Sequence, residues 1–276
     1  MTTGHRRALG QHFLRDAGIA RAIVETARLT RADLCVEIGP GQGALTELLA
    51  ARAGRLLALE IDEALIAALR PRLAGFPHAD VRHADARRFD WGALPLLRSD
   101  TAGRVVVVGN LPFSVSKPIL ERLVAARTAI SEMVLTLQRE VAERVAAPPG
   151  GKRYGALSVL TQLYCEVQLV MTIPRGAFRP PPQVAAAVLH LRVLAGPSVP
   201  VADAESFRRV VKAGFAQRRK MLANGLAGGL RCSVETARRG LAAAGIDPAR
   251  RAETLTLEEF ARAAAGFELL RAGEGE

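Results

Sequence analysis

Three glycines, Gly39, Gly41 and Gly43, follow a strand-like run and open a helix-like one in the segment VEIGPGQGALTELLA (36–50). Without side chains at these positions a ligand can approach the backbone, and the N-terminus of the following helix favours an anionic group. The spacing is GxGxG rather than GxGxxG, and the acid Glu37 lies two residues before the first glycine. A carboxylate there can accept a hydrogen bond from an ammonium group. The loop therefore favours S-adenosylmethionine, which has that group, over NAD, which lacks it, and leaves both open.

Two more acids follow the next predicted strands. Glu60 lies near the end of LLALEID (56–62), where a carboxylate can bind the ribose hydroxyls of an adenosine. Asp85, within RHADARRF (82–89), is predicted to lie beside the adenine and to accept a hydrogen bond from its exocyclic amine. As alternatives, Glu60 can face solvent and Asp85 can cap a helix. Three acids at three successive strand ends above one glycine loop favour the ligand-binding interpretation.

The tetrad Asn110-Leu111-Pro112-Phe113 follows the strand-like run RVVVVG (104–109). Methylation of an exocyclic amine requires acceptors for its hydrogens, because the nitrogen lone pair is otherwise delocalised into the ring. The amide oxygen of Asn110 and a backbone carbonyl left unpaired by the bend at Pro112 can supply them. Phe113 offers a face on which a base can stack. A type I turn with proline at its second position is the alternative for this tetrad alone.

These side chains need a scaffold that brings strand ends together. Short apolar runs alternate with amphipathic helical stretches from Leu34 to Gln138, which predicts βαβ units and a mostly parallel sheet covered on both faces. The predicted strands are 34–38, 56–61, 79–85, 104–109, 132–138, 165–173 and 186–193. We therefore predict an α/β domain over 1–195, a Pro-rich linker over 196–204 and a small all-helical C-terminal domain over 205–276. Thr256 and Glu259 are predicted to form a capping box for a late helix.

The charge of the chain is strongly basic and uneven. The 276 residues include 38 Lys and Arg against 27 Asp and Glu, a formal net charge of +11. Between Glu205 and Arg231 the only acid is Glu205 itself. Such a cluster favours a polyanion as partner, nucleic acid ahead of a membrane surface, and a solvated arginine-rich face is the alternative. The residues predicted to bind RNA are Arg208, Arg209, Lys212, Arg218, Arg219 and Lys220.

Several classes of protein are not expected. The apolar runs are far shorter than a bilayer span and the N-terminus has no apolar h-region, so we expect no transmembrane or secretory segment and a cytoplasmic location. The three cysteines, Cys35, Cys165 and Cys232, are far apart and odd in number, which fits neither a disulfide framework nor a zinc site. The five histidines show no HExxH-type pattern, and we expect no protein-built metal site.

Eight ordered segments together resemble the ribosomal RNA adenine N6,N6-dimethyltransferases of the KsgA type. They are GQHFL (10–14), VEIGPGQGALT (36–46), LEID (59–62), GNLPF (109–113), LQREVAERV (137–145), AFRPPPQV (177–184), FAQRRKML (215–222) and RAETLTLEEF (251–260). The resemblance covers essentially the whole chain. It implies a Rossmann-like S-adenosylmethionine-dependent methyltransferase domain with a small helical C-terminal domain. The implied activity is dimethylation of two adjacent adenosines in the loop of the 3′-terminal helix of small-subunit (16S) rRNA.

The resemblance also implies roles for individual residues. It implies that His12 and Leu14 border the cofactor and that Gly39 belongs to the glycine loop that binds it. It also implies that Glu60 binds the ribose and that Asp85 lies beside the adenine.

For the target base, the resemblance implies that Asn110 contacts both the cofactor and the amine to be methylated. Phe113 and Phe178 would sandwich the base. The commonest family pattern has Asn at the position of His12 and Tyr at that of Phe113, but a histidine can still hydrogen-bond and a phenylalanine can still stack. We expect a monomer that acts on rRNA within the immature small ribosomal subunit.

Three alternatives remain at this point. A macrolide-resistance-type methyltransferase acts on one adenosine of large-subunit (23S) rRNA and shares the glycine loop and the tetrad, but QRRKML (217–222) and RAETL (251–255) resemble the KsgA type. A nicotinamide-dependent oxidoreductase would explain the glycine loop and Glu60, and leaves the tetrad and the basic cluster without a role. An RNA-binding accessory protein on a retained methyltransferase fold would bind RNA without turnover.

Overall fold

The computed structural model describes residues 11–98, 103–217 and 219–273. The chain divides into two compact units. The first contains residues 1–142 and 166–193, and the second contains residues 143–165 and 194–276. The predicted division differs from this one at residues 143–165, which pack with the C-terminal helices although they precede the last two long strands in the chain.

The first unit is built on a seven-stranded sheet, accompanied by a two-stranded one. The strands are β1 (Phe13–Leu14), β2 (Leu34–Ile38), β3 (Arg55–Glu60), β4 (Ala79–His83), β5 (Val105–Asn110), β6 (Glu132–Gln138), β7 (Cys165–Ile173), β8 (Phe178–Arg179) and β9 (Ala186–Val193). The order in the large sheet is β4-β3-β2-β5-β6-β9-β7. The pairs from β4 to β6 are parallel, and β9 runs antiparallel to β6. This arrangement confirms the predicted α/β class with a mostly parallel sheet.

The central strands are nearly continuous apolar runs because helices cover both faces of a parallel sheet. All five residues of β2 are buried, as are the first five of β5. Glu37 is the charged exception within β2. A carboxylate at such a position needs a partner that the rest of the sheet does not supply.

Helices connect the strands of this unit. They are α1 (Ala17–Thr26), α2 (Thr46–Ala50), α3 (Glu63–Leu69), α4 (Ser116–Ala125) and α5 (Arg139–Val145), the last of which continues into the second unit. Short 3₁₀ turns cover Arg70–Leu73, Trp91–Leu97, Arg127–Ala129 and Arg175–Ala177. Asp16 caps α1 and Asp62 caps α3 by accepting hydrogen bonds from backbone N–H groups. The caps fix where each helix begins relative to the strand end before it.

The two-stranded sheet brings together residues that are far apart in the chain. Strands β1 and β8 pair antiparallel, with Leu14 opposite Phe178 and Phe13 opposite Arg179. The Arg15 N–H also donates to the Ala177 carbonyl at 2.8 Å. This pairing holds residues 13 and 14 of the N-terminal segment in place.

The second unit is helical. Its helices are α6 (Ala156–Gln162), α7 (Ala204–Ala216), α8 (Leu222–Leu230), α9 (Val234–Ala243) and α10 (Leu257–Gly273), with a 3₁₀ turn at Ala252–Thr254. Phe207, Leu241 and Phe260 are buried in its core. The predicted capping box is confirmed, because the Glu259 N–H donates to Thr256 Oγ1 and the Thr256 N–H donates to Glu259 Oε2.

Candidate active site

A cavity of about 400 Å³ opens at the carboxyl ends of β2, β3, β4 and β5. The strand order reverses between β2 and β5, and crevices at such reversal points are where open α/β sheets bind ligands. The cavity wall contains these predicted site residues: His12, Leu14, Glu37, Gly39, Gly41, Glu60, Asp85, Asn110, Leu111, Pro112 and Phe113. Residues from five separated segments therefore meet at one site.

Glycine is required at two positions of the loop after β2. Gly39 has φ +65° and Gly41 has φ +56°, a region that residues with a side chain rarely adopt. A Cβ atom on Gly41 would lie 2.9 Å from the ring of Phe13, whereas one on Gly39 would meet nothing within 4 Å. The loop thus packs closely against the N-terminal segment at Gly41 and leaves open space at Gly39.

Glu37 is buried without a complete set of hydrogen bonds. Its residue is 1% exposed, and among the described residues its Oε2 atom has no hydrogen-bond partner. Burial raises the pKa of the carboxyl group to about 8; the Thr46 hydroxyl partly opposes the rise, and the charge of Glu60 adds to it. A cationic donor entering the cavity would supply the missing partner.

Glu60 is also buried, but its carboxylate is well satisfied. Its Oε2 atom accepts the Gly41 N–H at 3.1 Å, and its Oε1 atom accepts the N–H groups of Ile61 at 2.8 Å and Asp62 at 3.0 Å. These bonds tie the glycine loop after β2 to the turn after β3. They also hold the carboxylate in the cavity wall, where the sequence predicts a ribose ligand.

Asp85 is engaged by Arg87 in this structure. Its carboxylate accepts the Arg87 backbone N–H at 2.9 Å, Nε at 3.0 Å from both oxygens, and Nη2 at 2.7 Å. The Arg87 guanidinium lowers the pKa of Asp85 below its usual value. Asp85 thus organises a turn and does not cap a helix, the alternative considered from the sequence, and it lines the cavity as well.

The orientation of the Asn110 side chain is set by its neighbour. Its Nδ2 atom donates to the His12 carbonyl at 2.9 Å. A carbonyl can only accept, so the amide nitrogen must face His12 and the Oδ1 atom is directed away from it. His12 is itself held, because its Nδ1 atom donates to the Pro180 carbonyl at 2.8 Å.

The backbone carbonyls of the tetrad differ in their partners. The Pro112 carbonyl accepts the Val115 N–H at 3.1 Å, and the Phe113 carbonyl accepts the Ser116 hydroxyl at 3.3 Å. The Leu111 N–H donates to Thr136, while its carbonyl has no hydrogen-bond donor among the residues that the structure describes. The Leu111 carbonyl and Asn110 Oδ1 are therefore two acceptors that the tetrad can offer to a ligand.

The two aromatic residues predicted to sandwich a base lie in different environments. Phe113 lines the cavity, partly buried, with its ring centroid 5.5 Å from that of His12. Phe178 is 4% exposed and does not belong to the cavity wall; it packs in the core beside its strand partner Leu14. Stacking of a base on Phe178 would require the residues that cover it to move.

Three cavity or near-cavity residues were not predicted from the sequence. Gln11 lines the cavity and its buried Oε1 atom has no hydrogen-bond partner in the described part of the chain. Thr46, whose hydroxyl acts on Glu37, is fully buried, and Arg87 holds Asp85. All three lie within segments that the sequence singled out, GQHFL (10–14), VEIGPGQGALT (36–46) and RHADARRF (82–89), but the patterns assigned them no role.

The predicted RNA-binding residues lie on one helix and the turn after it. Arg208, Arg209 and Lys212 are exposed on α7, and Arg219 and Lys220 are exposed between α7 and α8. Arg218 lies outside the described residues. The first two N–H groups of α8 donate to the carbonyls of residues 250 and 248, so phosphates would meet side chains here rather than a helix terminus.

Neither a metal centre nor a membrane span is found in the described part of the chain. No group of three or more His, Cys, Asp or Glu side chains there is arranged to hold a metal ion. Within the same residues, no helix is both long and apolar enough to cross a membrane.

The chain is similar to named proteins over nearly all of its length. It is 46% identical over 260 residues to a ribosomal RNA small subunit methyltransferase A from Moorella thermoacetica, covering 93% of this chain and 90% of the relative. A protein of the same name from Geobacter sulfurreducens is 45% identical over 274 residues, covering 97% and 96%.

Solved structures share the fold. The 23S rRNA methyltransferase ErmE superposes with a TM-score of 0.70 at 26% identity, covering 93% of this chain and 99% of that one. A dimethyladenosine transferase from Plasmodium falciparum superposes with a TM-score of 0.76 at 22% identity, covering 94% and 98%. The predicted Rossmann-like methyltransferase fold is confirmed. The family described as ribosomal RNA adenine dimethylase matches residues 3–268, and the chain belongs to that family.

Proposed function

We propose that the protein transfers methyl groups from S-adenosylmethionine to the exocyclic amines of adenosines in small-subunit rRNA, forming N6,N6-dimethyladenosine. Family membership and relatives at 45–46% identity support this reaction class. The structural observation that carries the proposal is the fixed amide of Asn110, whose nitrogen is held by His12 and whose oxygen is left for a substrate.

The cavity residues fit S-adenosylmethionine. The unpaired Glu37 Oε2 atom suits the ammonium group of the amino acid portion, and the open space at Gly39 lets that portion approach the backbone. Glu60 would bind the ribose hydroxyls and Asp85 the adenine amine, while His12 and Leu14 would border the cofactor. When bound, S-adenosylmethionine supplies an electrophilic methyl group next to the tetrad.

The tetrad would prepare the target amine for attack. Asn110 Oδ1 and the Leu111 carbonyl would each accept one hydrogen of the amine, which favours a more tetrahedral nitrogen and localises its lone pair. The tetrad would thus hold the nitrogen lone pair toward the methyl group that bound S-adenosylmethionine would supply; the methyl carbon would exchange its bond to sulfur for a bond to nitrogen, with S-adenosylhomocysteine as the co-product. The charged nitrogen loses its proton readily, so no strong general base is required. The chief contribution of the protein is positioning, which can be worth about 7–11 kcal/mol.

The target base would stack on Phe113, which is already exposed to the cavity. Stacking on such a platform contributes roughly 1–3 kcal/mol. A base that is paired inside an RNA duplex cannot reach the tetrad at the carboxyl end of β5. The target adenosines must therefore lie in an RNA loop or be flipped out of the duplex. We infer that Phe178 stacks on the opposite face of the base, which requires the residues that cover Phe178 to move when RNA binds.

The substrate we infer is the pair of adjacent adenosines in the loop of the 3′-terminal helix of 16S rRNA. We further infer that the protein acts as a monomer on the immature small subunit in the cytoplasm. The exposed cations of α7 and the turn after it would contact phosphates of that particle.

The test is to incubate the purified protein and S-adenosylmethionine with unmethylated small subunits and, separately, with large-subunit rRNA. The RNA is digested and its nucleosides are quantified by mass spectrometry. We expect N6,N6-dimethyladenosine from the small subunits. Product confined to large-subunit RNA would favour the resistance-type function suggested by the likeness to ErmE, and no product from either would contradict methyltransferase activity.

A further inference from the structure

The exposed cations Arg219 and Lys220 lie in the turn between α7 and α8, which we call the basic turn. On the side of α8, the Leu222 N–H donates to the Arg250 carbonyl at 2.7 Å, and Leu222 is 1% exposed. The end of the basic turn is therefore attached to residues 248–250, and its arrangement depends on what holds that segment.

The side chain of Arg250 holds the segment against the start of α10. Its Nη1 atom donates to Glu259 Oε1 and its Nη2 atom to Glu259 Oε2, the latter at 2.9 Å. Its Nε atom donates to Thr254 Oγ1 at 3.1 Å, and Nη2 also donates to the Thr254 carbonyl at 2.7 Å. Two parallel bonds between a guanidinium and a carboxylate fix orientation as well as distance.

Glu259 is fixed in turn to the beginning of α10. Its Oε2 atom accepts the Thr256 N–H at 2.9 Å, which closes the capping box. The next residue, Phe260, is fully buried in the core of the second unit. A chain of contacts thus runs from the buried start of α10 through Glu259 and Arg250 to the start of α8 and the basic turn.

The pair has more to contribute to geometry than to stability. The Arg250 and Glu259 side chains are 31% and 18% exposed, and desolvation offsets much of the attraction between charges that are partly withdrawn from water. Ordering a turn before it meets its ligand, in contrast, lowers the entropic cost of binding. We propose that the Arg250–Glu259 pair holds the basic turn in the arrangement that meets RNA phosphates, and that both are positioning residues for RNA binding. This inference rests on the proposed function and adds to it the residues that order its RNA-binding turn.

A direct contact of Arg250 with a phosphate is the alternative, and the substitution Glu259→Gln separates the two. It removes a negative charge, so charge alone predicts RNA binding that is unchanged or tighter. A positioning role predicts weaker binding, because the amide of glutamine has one acceptor oxygen and turns an N–H₂ group toward the guanidinium or the Thr256 N–H. Glutamine at this third position of the helix can still serve in a capping box, so α10 should form.

The experiment compares wild type, Glu259→Gln and the control Glu258→Gln. Glu258 is the exposed neighbour of Glu259, so the control changes the net charge equally. Binding to unmethylated small subunits is measured by co-sedimentation over a series of salt concentrations, and kcat and KM are measured for methyl transfer to the same particles.

We expect Glu259→Gln to bind about three- to tenfold more weakly, with a shallower salt dependence, as ordered phosphate contacts are lost. Its KM for subunits should rise by a similar factor and its kcat should change less than about twofold, the pattern of lost uniform binding. Glu258→Gln should bind as tightly as wild type or more tightly. Affinity for S-adenosylhomocysteine should be unchanged in both variants, because the residues that line the cavity belong to the first unit.

The partnership is tested by Arg250→Met, alone and combined with Glu259→Gln. Because Arg250 acts through Glu259, the double variant should bind no more weakly than Arg250→Met. Additive losses would overturn the inference, and so would Glu259→Gln that binds as Glu258→Gln does. An equal loss of S-adenosylhomocysteine affinity in Glu259→Gln would also overturn it, since the pair would then support folding in general. Wild-type protein that neither binds nor methylates small subunits would contradict the proposed function, and the inference with it.

Discussion

The two units of the molecule use charge in opposite ways. At the sheet end of the first unit, the carboxylates of Glu37 and Glu60 are buried and the amides of Gln11 and Asn110 are half-buried. Among the described residues, one buried oxygen of Glu37 and one of Gln11 have no hydrogen-bond partner. In the second unit, the cations of α7 and the following turn are exposed to solvent. Buried polar atoms discriminate through hydrogen bonds at short range, whereas exposed cations act through charge that salt screens.

The same contrast holds for ion pairs that involve arginine. Arg208 pairs with Glu205 on α7, where both side chains are more than half exposed, so the pair contributes little to stability. Arg87 and Asp85 form a pair at the cavity edge, where the carboxylate is mostly covered. Substitutions in the cavity should therefore have large effects on turnover or ligand affinity that salt hardly changes, and substitutions on the helical unit should have modest, salt-sensitive ones.

The largest effect is expected at Asn110. Asn110→Ala removes the side-chain acceptor for the target amine, and by analogy with other transition-state hydrogen-bonding groups the rate should fall about 100-fold or more. Affinity for S-adenosylhomocysteine should change little. Single-turnover rates with small subunits, together with calorimetry, measure the two effects. Asn224→Ala in α8 is the matched control. Near-normal turnover of the Asn110 variant would contradict the mechanism.

Glu60 should affect the cofactor rather than the chemistry. Glu60→Ala removes the predicted ribose ligand and the acceptor of three backbone N–H groups, and should weaken S-adenosylmethionine binding by about 1.5–3 kcal/mol. Calorimetry measures the loss, and Glu63→Ala, with a side chain 74% exposed, serves as control. Unchanged affinity of the Glu60→Ala variant would show that Glu60 does not bind the cofactor.

Glu37 should make cofactor binding depend on pH. In the ligand-free protein its pKa is about 8, and a bound ammonium group should lower it, so binding near pH 7 should release up to one proton. Affinity for S-adenosylhomocysteine should consequently rise between about pH 6 and 8. Calorimetry in buffers of different ionisation enthalpy counts the released protons, and Glu37→Gln should abolish the release.

The same shift has a consequence for stability. The folded pKa of Glu37 exceeds its ordinary value of 4.5, so the folded protein binds more protons than the unfolded chain between pH 4.5 and about 8. Glu37 therefore lowers the free energy of unfolding of the ligand-free protein progressively as pH rises through that window. A pH dependence of unfolding that is identical in Glu37→Gln would contradict the assignment.

On the helical unit, replacing Arg218, Arg219 and Lys220 by alanine should weaken RNA binding. The slope of the logarithm of the RNA-binding constant against the logarithm of the salt concentration should become shallower. The change should be about 0.7–0.9 for each phosphate that these side chains no longer neutralise. A control with the same reduction in charge replaces Arg21, Arg70 and Arg122, three exposed arginines of the first unit. Equal changes in slope for both triple variants would mean that the basic cluster acts only through the net charge of the protein and does not contact phosphates itself.

Much of this architecture could be predicted from the sequence because strands of five or more residues leave recognisable apolar runs between amphipathic helical stretches. The predicted bounds of β2, β6, β7 and β9 agree with the structure. The three acids were placed together because the carboxyl ends of parallel strands meet at one edge. The two-residue pairing of β1 with β8 was not predicted, since two residues are too short for a periodic signal.

The pairing of β1 with β8 determines the contacts in the site that could not be predicted from the sequence. The Asn110–His12 bond joins residues 98 apart in the chain, and the His12–Pro180 bond joins residues 168 apart. Local patterns carry no information about such partners. The burial of Phe178 and the orphaned oxygen of Gln11 follow from the same N-terminal segment and were missed for the same reason.

The smallest effect is expected at Arg87. An ionised carboxylate has about four acceptor positions, and Arg87 approaches Asp85 with its backbone N–H, Nε and Nη2, with Nε shared between both oxygens. An adenine amine that donates to Asp85 must displace one of these donors. Arg87→Met keeps an apolar stem and removes the competitor. Because a partly exposed pair is worth only about 0.2–1 kcal/mol, affinity for S-adenosylhomocysteine should rise by about two- to fivefold at most.

The neighbouring Arg88 provides the control for this last substitution. Its charge lowers the pKa of Asp85 from a distance, but among the described residues it makes no hydrogen bond to that carboxylate. Arg88→Met should therefore leave the affinity measured by calorimetry unchanged at moderate salt. Weaker binding by Arg87→Met would show that the guanidinium holds Asp85 in its binding orientation instead of competing with the adenine. The pair would then resemble the buried, preorganised groups of the cavity rather than the exposed pairs of the helical unit.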